Sequence, residues 1–158
     1  MFGGQGRVPL VARLPIGVWT GSAAQHSQSF ESWFTHVPGL VVVTPATPQD
    51  NHDLLSAALA CGDPVIYMEH KELWGLVDDV TPEARLPIGV ARTLKTGSDI
   101  TLVSWSRAVH AALEAATLAA AEGIRVEVID LRTLWPWDRD AVLASAARTQ
   151  RVLVVHEA

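Results

Sequence analysis

Short apolar runs rich in branched residues alternate along the chain with segments whose apolar positions recur every three or four residues. The first pattern predicts buried strands and the second amphipathic helices. VPLVA (8–12), LVVVTP (40–45) and PVIYME (64–69) read as strands. Between the first two, SFESWFTHV puts Phe30, Trp33, Phe34 and Val37 on one helical face, and Pro38-Gly39 stops it. A second helix starts where Thr47 can cap, Pro48 takes the first helical position and Asp50 meets the positive end of the dipole. It ends at Gly62.

The pattern breaks over residues 71–98, where prolines, glycines and charges predict a connector with one short strand near Gly89–Leu94. It then resumes as strand ITLVSW, an alanine-rich helix over 107–122 closed by Gly123, strand VEVIDL, helix DRDAVLASAART and strand RVLVVHE. Strands linked by helices predict parallel sheets with right-handed crossovers. The fold class expected is therefore α/β, as two partial α/β pieces joined by a connector. The first piece shows only three strands and the second ends on a strand, so a fragment of a longer chain is expected. The heptapeptide ARLPIGV occurs at 12–18 and again at 84–90. The flanks differ and the spacing exceeds a solenoid period, which marks two similar loop exits rather than a repeat.

Composition narrows the function classes. Of the 158 residues, 49% are hydrophobic and 18% charged, enough to bury a core. The net charge is −5 and the 12 basic residues are scattered, which argues against a nucleic-acid footprint. No apolar run reaches the ~18 residues that span a bilayer, and the N-terminus lacks the order of a signal peptide. A single cysteine, Cys61, fits a reducing compartment, so a cytoplasmic protein is expected. The six histidines show no metal-ligand spacing.

Three clusters carry candidate chemistry. In GSAAQHSQSF (21–30), His26 lies between a strand and a helix start, flanked by Ser27 and Gln28. That position suits an acid, base or hydrogen-bond donor at the rim of a sheet. It equally suits an interior histidine bonded to a carbonyl, and a lone histidine favours this second reading. In DLRTLWPWD (130–138), Asp130 and Arg132 could orient an anion, although a buried pair holding a loop beside Trp135 and Trp137 is favoured. His156 and Glu157 stand at a strand's carboxyl end, where the sequence leaves their role open. Cys61 has no basic neighbour and reads as packing. GGQG at 3–6 precedes a strand rather than following one, so it is no phosphate loop.

Five motifs in order, AAQHSQSFESWFTHVPGLVVVTP, DPVIYMEHKELWG, GSDITLVSW, VEVIDLRTLWPWD and VVHEA, resemble the beta subunit of the decarboxylating component of 2-oxo acid dehydrogenases. This is the pyruvate, branched-chain and acetoin type of enzyme, and the resemblance runs through essentially the whole chain. It implies the later part of a pyrimidine-binding domain over 1–75, a connector over 76–98 and the first part of a transketolase-like C-terminal domain over 99–158. Both are three-layer α/β domains with mainly parallel sheets.

The resemblance further implies a heterotetramer with an alpha subunit, using thiamine diphosphate and magnesium. A 2-oxo acid loses carbon dioxide and the acyl group passes to the lipoyl arm of an acyltransferase component. His26 matches the family's active-site histidine, with Ser27 and Gln28 fixing its loop, which reverses the preference from chemistry alone. A potassium ion held on main-chain carbonyls at Ala58, Cys61 and Asp63 is implied for some members. The family's activating glutamate and its pyrimidine-stacking aromatic fall upstream of Met1, and the diphosphate and magnesium belong to the alpha subunit. Alone, this chain is therefore expected to bind the cofactor poorly. Alternatives are a segment of a transketolase or deoxyxylulose-phosphate synthase, and a chain acting only as a subunit-interaction module. In a eukaryote the expected compartment is the mitochondrial matrix.

Overall fold

The computed structural model describes residues 5–157. Gly3 and Gly4 of the GGQG run lie outside them. Two four-stranded sheets form the framework. The first contains β1 (Val11–Ile16), β2 (Val41–Val43), β3 (Val65–His70) and β7 (Thr133–Trp135), in the order β1-β3-β2-β7. The second contains β4 (Arg92–Lys95), β5 (Ile100–Ser104), β6 (Val126–Asp130) and β8 (Val152–Val155), in the order β4-β6-β5-β8. Each sheet is parallel except for one antiparallel partner, β7 on β2 and β4 on β6.

Helices cover both faces of each sheet. In the first, α2 (Pro48–Ala60) packs Leu54 and Ala58 on Val41, Val43, Val65 and Tyr67. On the other face Phe30 and Phe34, flanking and within α1 (Glu31–Thr35), pack on Ile16, Val42 and Met68. In the second sheet α3 (Ala108–Ala121) sets Ala112 and Ala116 on Leu102, Val126 and Val128. Its alanines let the helix backbone approach the sheet closely. On the opposite face α4 (Arg139–Thr149) packs by hydroxyls as well: Thr101 bonds Ser145 at 2.6 Å and Thr149 at 2.7 Å. The α/β class with mainly parallel sheets and helix layers on both faces is what the structure shows.

Four sequence expectations need correction. β1 begins at Val11 rather than at residue 8, because its register is set by β3: Val11 pairs with Val65 and Ile16 with His70. Val8 and Leu10 lie before the paired stretch and stay exposed. The helix expected to bury four residues is only five residues long, so Val37 falls beyond it. Trp33, 69% exposed, rests against the Phe30 ring with centroids 4.8 Å apart instead of entering the core. The short strand in the connector is Arg92–Lys95, slightly later than expected, and it joins the second sheet. The first sheet has four strands, not three, because β7 crosses back from the second half of the chain.

That return strand interlocks the two sheets. Thr44, just after β2, donates its backbone N–H to the Arg132 carbonyl at 2.8 Å. In α3, the His110 Nε2 meets the Ala46 carbonyl at 2.8 Å, tying a helix of the second sheet to the loop leading into α2. Arg107, ahead of α3, bonds Glu72, just after β3, at 2.7 Å.

Candidate active site

The carboxyl ends of parallel strands leave unpaired peptide groups and room for loops, and ligands of open α/β sheets gather there. In the first sheet this edge is set by Ile16 and His70, the last paired residues of β1 and β3. β1 leaves it at Gly17, whose φ is +87°. A Cβ on that glycine would lie 2.0 Å from His70 Nε2, so glycine answers both the backbone angle and the close approach of the imidazole.

Beyond Gly17 the chain makes a loop and returns at Gln28, whose carbonyl accepts from Gly17 N at 2.9 Å. Inside the loop Ala23 takes a positive φ of 55°, and Ala24–His26 form one 3-10 turn. Gln28 Nε2 donates to the Ala24 carbonyl at 3.1 Å and the Ser27 amide to the same oxygen at 3.4 Å. The turn therefore has its polar partners within the loop. His26 stands exposed at its end, and its ring has no hydrogen bond among the described residues. It lines neither of the two clefts described below.

The base of the loop carries the most connected polar group of this edge. Val18 N donates to Glu157 Oε1 at 2.6 Å, and His70 Nε2 lies 3.1 Å from Glu157 Oε2. His70 Nδ1 accepts from the Glu72 amide at 3.2 Å, which leaves the ring proton on Nε2 to be donated to the glutamate. Burial pushes the Glu157 carboxyl up. The bonds from the Val18 amide and the His70 ring more than offset this, and the group titrates below the usual glutamate range. Lys71 is buried beside them, and burial lowers its pKa.

Two clefts flank this pair. One, of about 670 Å³, includes His70, Asn51, His52, Trp74 and the Arg13–Glu69 pair, bonded at 2.9 and 2.7 Å. The other, of about 330 Å³, is walled by Trp105, Trp135 and Trp137 and contains Glu31, His156 and Glu157. Burial raises the Glu31 carboxyl above its usual range. His156 stacks on Trp105 with ring centroids 4.6 Å apart.

The structure thus ties the loop that carries His26, Ser27 and Gln28 to Glu157 at its base, with His156 in the same cleft as Glu157. Asp130 and Arg132 are buried, with Arg132 N donating to Asp130 Oδ1 at 3.1 Å and Arg132 Nη2 to the Val90 carbonyl at 2.6 Å. They hold a turn, as the sequence favoured. Ala58, Cys61 and Asp63 sit at the C-terminal end of α2, where Cys61 N donates to the Ala58 carbonyl at 3.2 Å. β3 starts two residues after Asp63 and runs towards His70, so that turn and the His26 loop occupy opposite edges of the sheet. Among the described residues no group of three or more His, Cys, Asp or Glu side chains could hold a metal ion. His70 escaped the sequence reading, although a histidine closing a buried strand is the same signal that singled out His156.

Two family models divide the chain between them: the transketolase pyrimidine binding domain over residues 1–75 and the transketolase C-terminal domain over residues 89–158. The chain belongs to the transketolase domain family. This transketolase-like chain is 48% identical over its whole length to the beta subunit of acetoin:2,6-dichlorophenolindophenol oxidoreductase from Cupriavidus necator, covering 47% of that protein. It is 42% identical to the beta subunit of 2-oxoisovalerate dehydrogenase from Bacillus subtilis, over 94% of this chain and 46% of that one. It is 44% identical to the pyruvate dehydrogenase E1 beta subunit of Rhizobium meliloti, over 99% of this chain and 35% of that one. The chain spans about half the length of the curated relatives it matches or less. Among solved structures, a split-gene transketolase described as an inactive beta4 tetramer superposes with a TM-score of 0.79. It is 27% identical, with 93% of this chain and 47% of that one covered. A Pichia stipitis transketolase at 18% identity and TM-score 0.62 shares the fold. No described helix is long and apolar enough to cross a membrane.

Proposed function

We propose that this chain is a beta-subunit segment of a thiamine diphosphate-dependent 2-oxo acid dehydrogenase. The assembled enzyme decarboxylates a 2-oxo acid oxidatively and passes the acyl group to a lipoyl carrier. The observation that carries this reading is identity of 42% and 44% to the beta subunits of a 2-oxoisovalerate dehydrogenase and a pyruvate dehydrogenase, running through 94% and 99% of the chain, not through one motif. Its partners are an alpha subunit and the lipoyl acyltransferase, and it works in the cytoplasm, or in the mitochondrial matrix in a eukaryote. The rice relatives named mitochondrial support the second location. In this reading residues 1–75 are the later part of the pyrimidine-binding domain and 99–158 the first part of the C-terminal domain, with 76–98 joining them and lending β4 to the second sheet.

The described residues do not fit the charged end of the cofactor. No metal-holding carboxylate group is present among them, and no glycine-rich turn follows a strand. In the reading proposed, magnesium and the diphosphate are held by the alpha subunit, as the family resemblance implies. The cofactor, when bound, supplies the electron sink. This chain supplies His26, which is exposed, has no side-chain hydrogen bond among the described residues, and can give or take a proton at the rim of the sheet. Gln28 and Ser27 hold the turn that presents it. Potassium on the carbonyls of Ala58, Cys61 and Asp63 would brace the far end of the sheet. With the Ala58 oxygen already accepting from Cys61, one lone pair remains for the ion.

A second reading shares the partner and the histidine but takes acetoin as substrate, favoured by the highest of these identities, 48%. Co-expression with an alpha subunit tests the common part. Sedimentation is expected to give one complex containing both chains in equal numbers. An alpha subunit that sediments apart from this chain at micromolar concentration would rule the beta-subunit role out.

A further inference from the structure

The loop that carries His26 is not held by its own turn alone. Its two ends meet at Gly17 N and Gln28 O, 2.9 Å apart, and the next amide, Val18 N, leaves the loop altogether to bond Glu157, 139 positions away. Glu157 follows β8 of the second sheet, whereas Gly17 and Val18 follow β1 of the first. His70, which ends β3, completes the connection from beneath. We propose that His70 and Glu157 form a clamp between the two sheets that sets the position of the 18–28 loop, and through it the position of His26. Both are positioning residues. The functional half of the claim rests on the role given to His26 above.

Each bond of the clamp is determined by the chemistry of its partners. The His70 ring is 3% exposed and has one donor and one acceptor site. Nδ1 is taken as an acceptor by the Glu72 amide, so Nε2 must donate, and a carboxylate oxygen is the group it meets. The other oxygen of the same carboxylate takes the Val18 amide, so each oxygen has its own partner. A carboxylate accepts at both oxygens and donates at neither, which is what two converging N–H groups require. The imidazole is further fixed by Gly17, where any side chain would overlap the ring. Glu72 carries the connection onward through its carboxylate to Arg107 at 2.7 Å, at the entry to α3. The loop base is thereby referenced to both sheets, while among the described residues the hydrogen bonds of 19–27 stay within the loop and Trp19 meets Trp74 edge to face, ring centroids 5.2 Å apart.

An amide in place of the carboxylate breaks this scheme in a defined way. In Glu157→Gln, one of the two positions becomes an NH2 donor. Turned towards Val18, it faces an N–H. Turned towards His70, it forces the ring proton onto Nδ1, which then faces the Glu72 amide. One bond is lost in every arrangement, with almost no change in side-chain volume. Gly17→Ala attacks the same clamp from the other side by displacing the His70 ring.

Hydrogen exchange on the full chain and turnover in its complex with the alpha subunit together decide the proposal. Glu157→Gln is expected to speed exchange at Val18 and across 22–28 by about tenfold or more, with β3 and β5 unchanged. In the complex it is expected to lower kcat by about tenfold at unchanged KM, and to do nothing further in a His26→Ala background. Gly17→Ala is expected to give the same exchange pattern. Unaltered exchange over 18–28 in Glu157→Gln would overturn the clamp. Faster exchange with unaltered kcat would overturn its link to His26. A parent complex without turnover would overturn the proposed function instead, leaving exchange to decide the clamp.

Discussion

Arg132 and Asp50 meet across the two sheets, Nη1 to Oδ1 at 3.7 Å, with both side chains buried. Asp50 starts α2 over the first sheet, and Arg132 stands between β6 of the second sheet and β7 of the first. Arg92 of β4 joins from the far edge, 3.3 Å from the other Asp50 oxygen, and Thr47 donates its hydroxyl to that same oxygen at 2.7 Å. Asp130, fully buried, completes a quartet of two carboxylates and two guanidinium groups. Several of its atoms, including Asp50 Oδ1, Asp130 Oδ2 and Arg132 Nε, have no hydrogen-bond partner among the described residues, the circumstance in which internal water is expected.

Removing one member of such a pair leaves a buried charge without compensation. Arg132→Met is expected to lower stability by about 3–5 kcal/mol in denaturant titration. Asp50→Asn in that background should cost less than it does alone, since the two act on one contact. A loss under about 1 kcal/mol for Arg132→Met would show that the pair is solvated and contributes little.

The Asp130 carboxyl is pushed up to about 7, first by burial and then by the nearby Asp50, against the pull of Arg92 and Arg132. An unfolded aspartate titrates near 4. Between about pH 4 and 7 the folded state therefore holds the extra proton, so this group makes stability fall as pH rises through that window and level off above it. Asp130→Asn keeps the oxygen that accepts from Arg132 N and removes the titration. The difference between parent and variant stability, followed by chemical denaturation from pH 4 to 8, should slope across that window. A flat difference would place the carboxyl at an ordinary pKa.

Gly97 lies where β4 turns towards β5, and a Cβ there would sit 2.2 Å from the Val126 carbonyl carbon and 2.4 Å from Glu127 N. These are backbone atoms at the start of β6 and cannot rotate away. Gly97→Ala is expected to destabilise by about 2–3 kcal/mol, in the upper range for overpacking. Gly75→Ala, where no atom lies within 4 Å and φ is not positive, should be nearly neutral. Equal thermal midpoints for the two variants would refute the steric argument.

How much of this was legible beforehand follows from the range of the forces involved. α2 was read correctly at both ends because its signals are local: Thr47 accepts from the Asp50 amide at 3.1 Å, and Gly62 takes a φ of 77° just past the end. The parallel strands β5, β6 and β8 showed themselves as continuous apolar runs between helices. β7 did not, since three residues followed by a proline carry no period, and their strand character exists only through pairing with β2. The same limit hid the quartet and the clamp. Asp50 and Arg132 are 82 positions apart and His70 and Glu157 87, and nothing in either neighbourhood announces the other. His26 was singled out by its setting of small and polar residues. Its exposure, with the loop's polar groups satisfied within the turn or at its base, is a property of the folded loop.

Gln28→Ala removes the side-chain bond to the Ala24 carbonyl but leaves the Gly17–Gln28 main-chain contact in place. Turnover of the assembled enzyme is expected to fall less than tenfold, with stability within about 0.5 kcal/mol of the parent, as for other exposed positions. A larger drop in turnover than that of His26→Ala would move the functional group from the histidine to the amide.

The most direct test pairs the chain with its alpha subunit, thiamine diphosphate and magnesium, and follows reduction of an artificial electron acceptor with 2-oxo acids and with acetoin. Parent and His26→Ala are compared at matched folded concentration, alongside acyl transfer to the lipoyl carrier. The account predicts acceptor reduction by the parent and a loss of roughly 10²–10⁴-fold in the variant, the range for a lost acid–base group. The larger deficit should fall in transfer to the lipoyl arm. No reduction with any of these substrates, or equal rates for parent and His26→Ala in both assays, would contradict it.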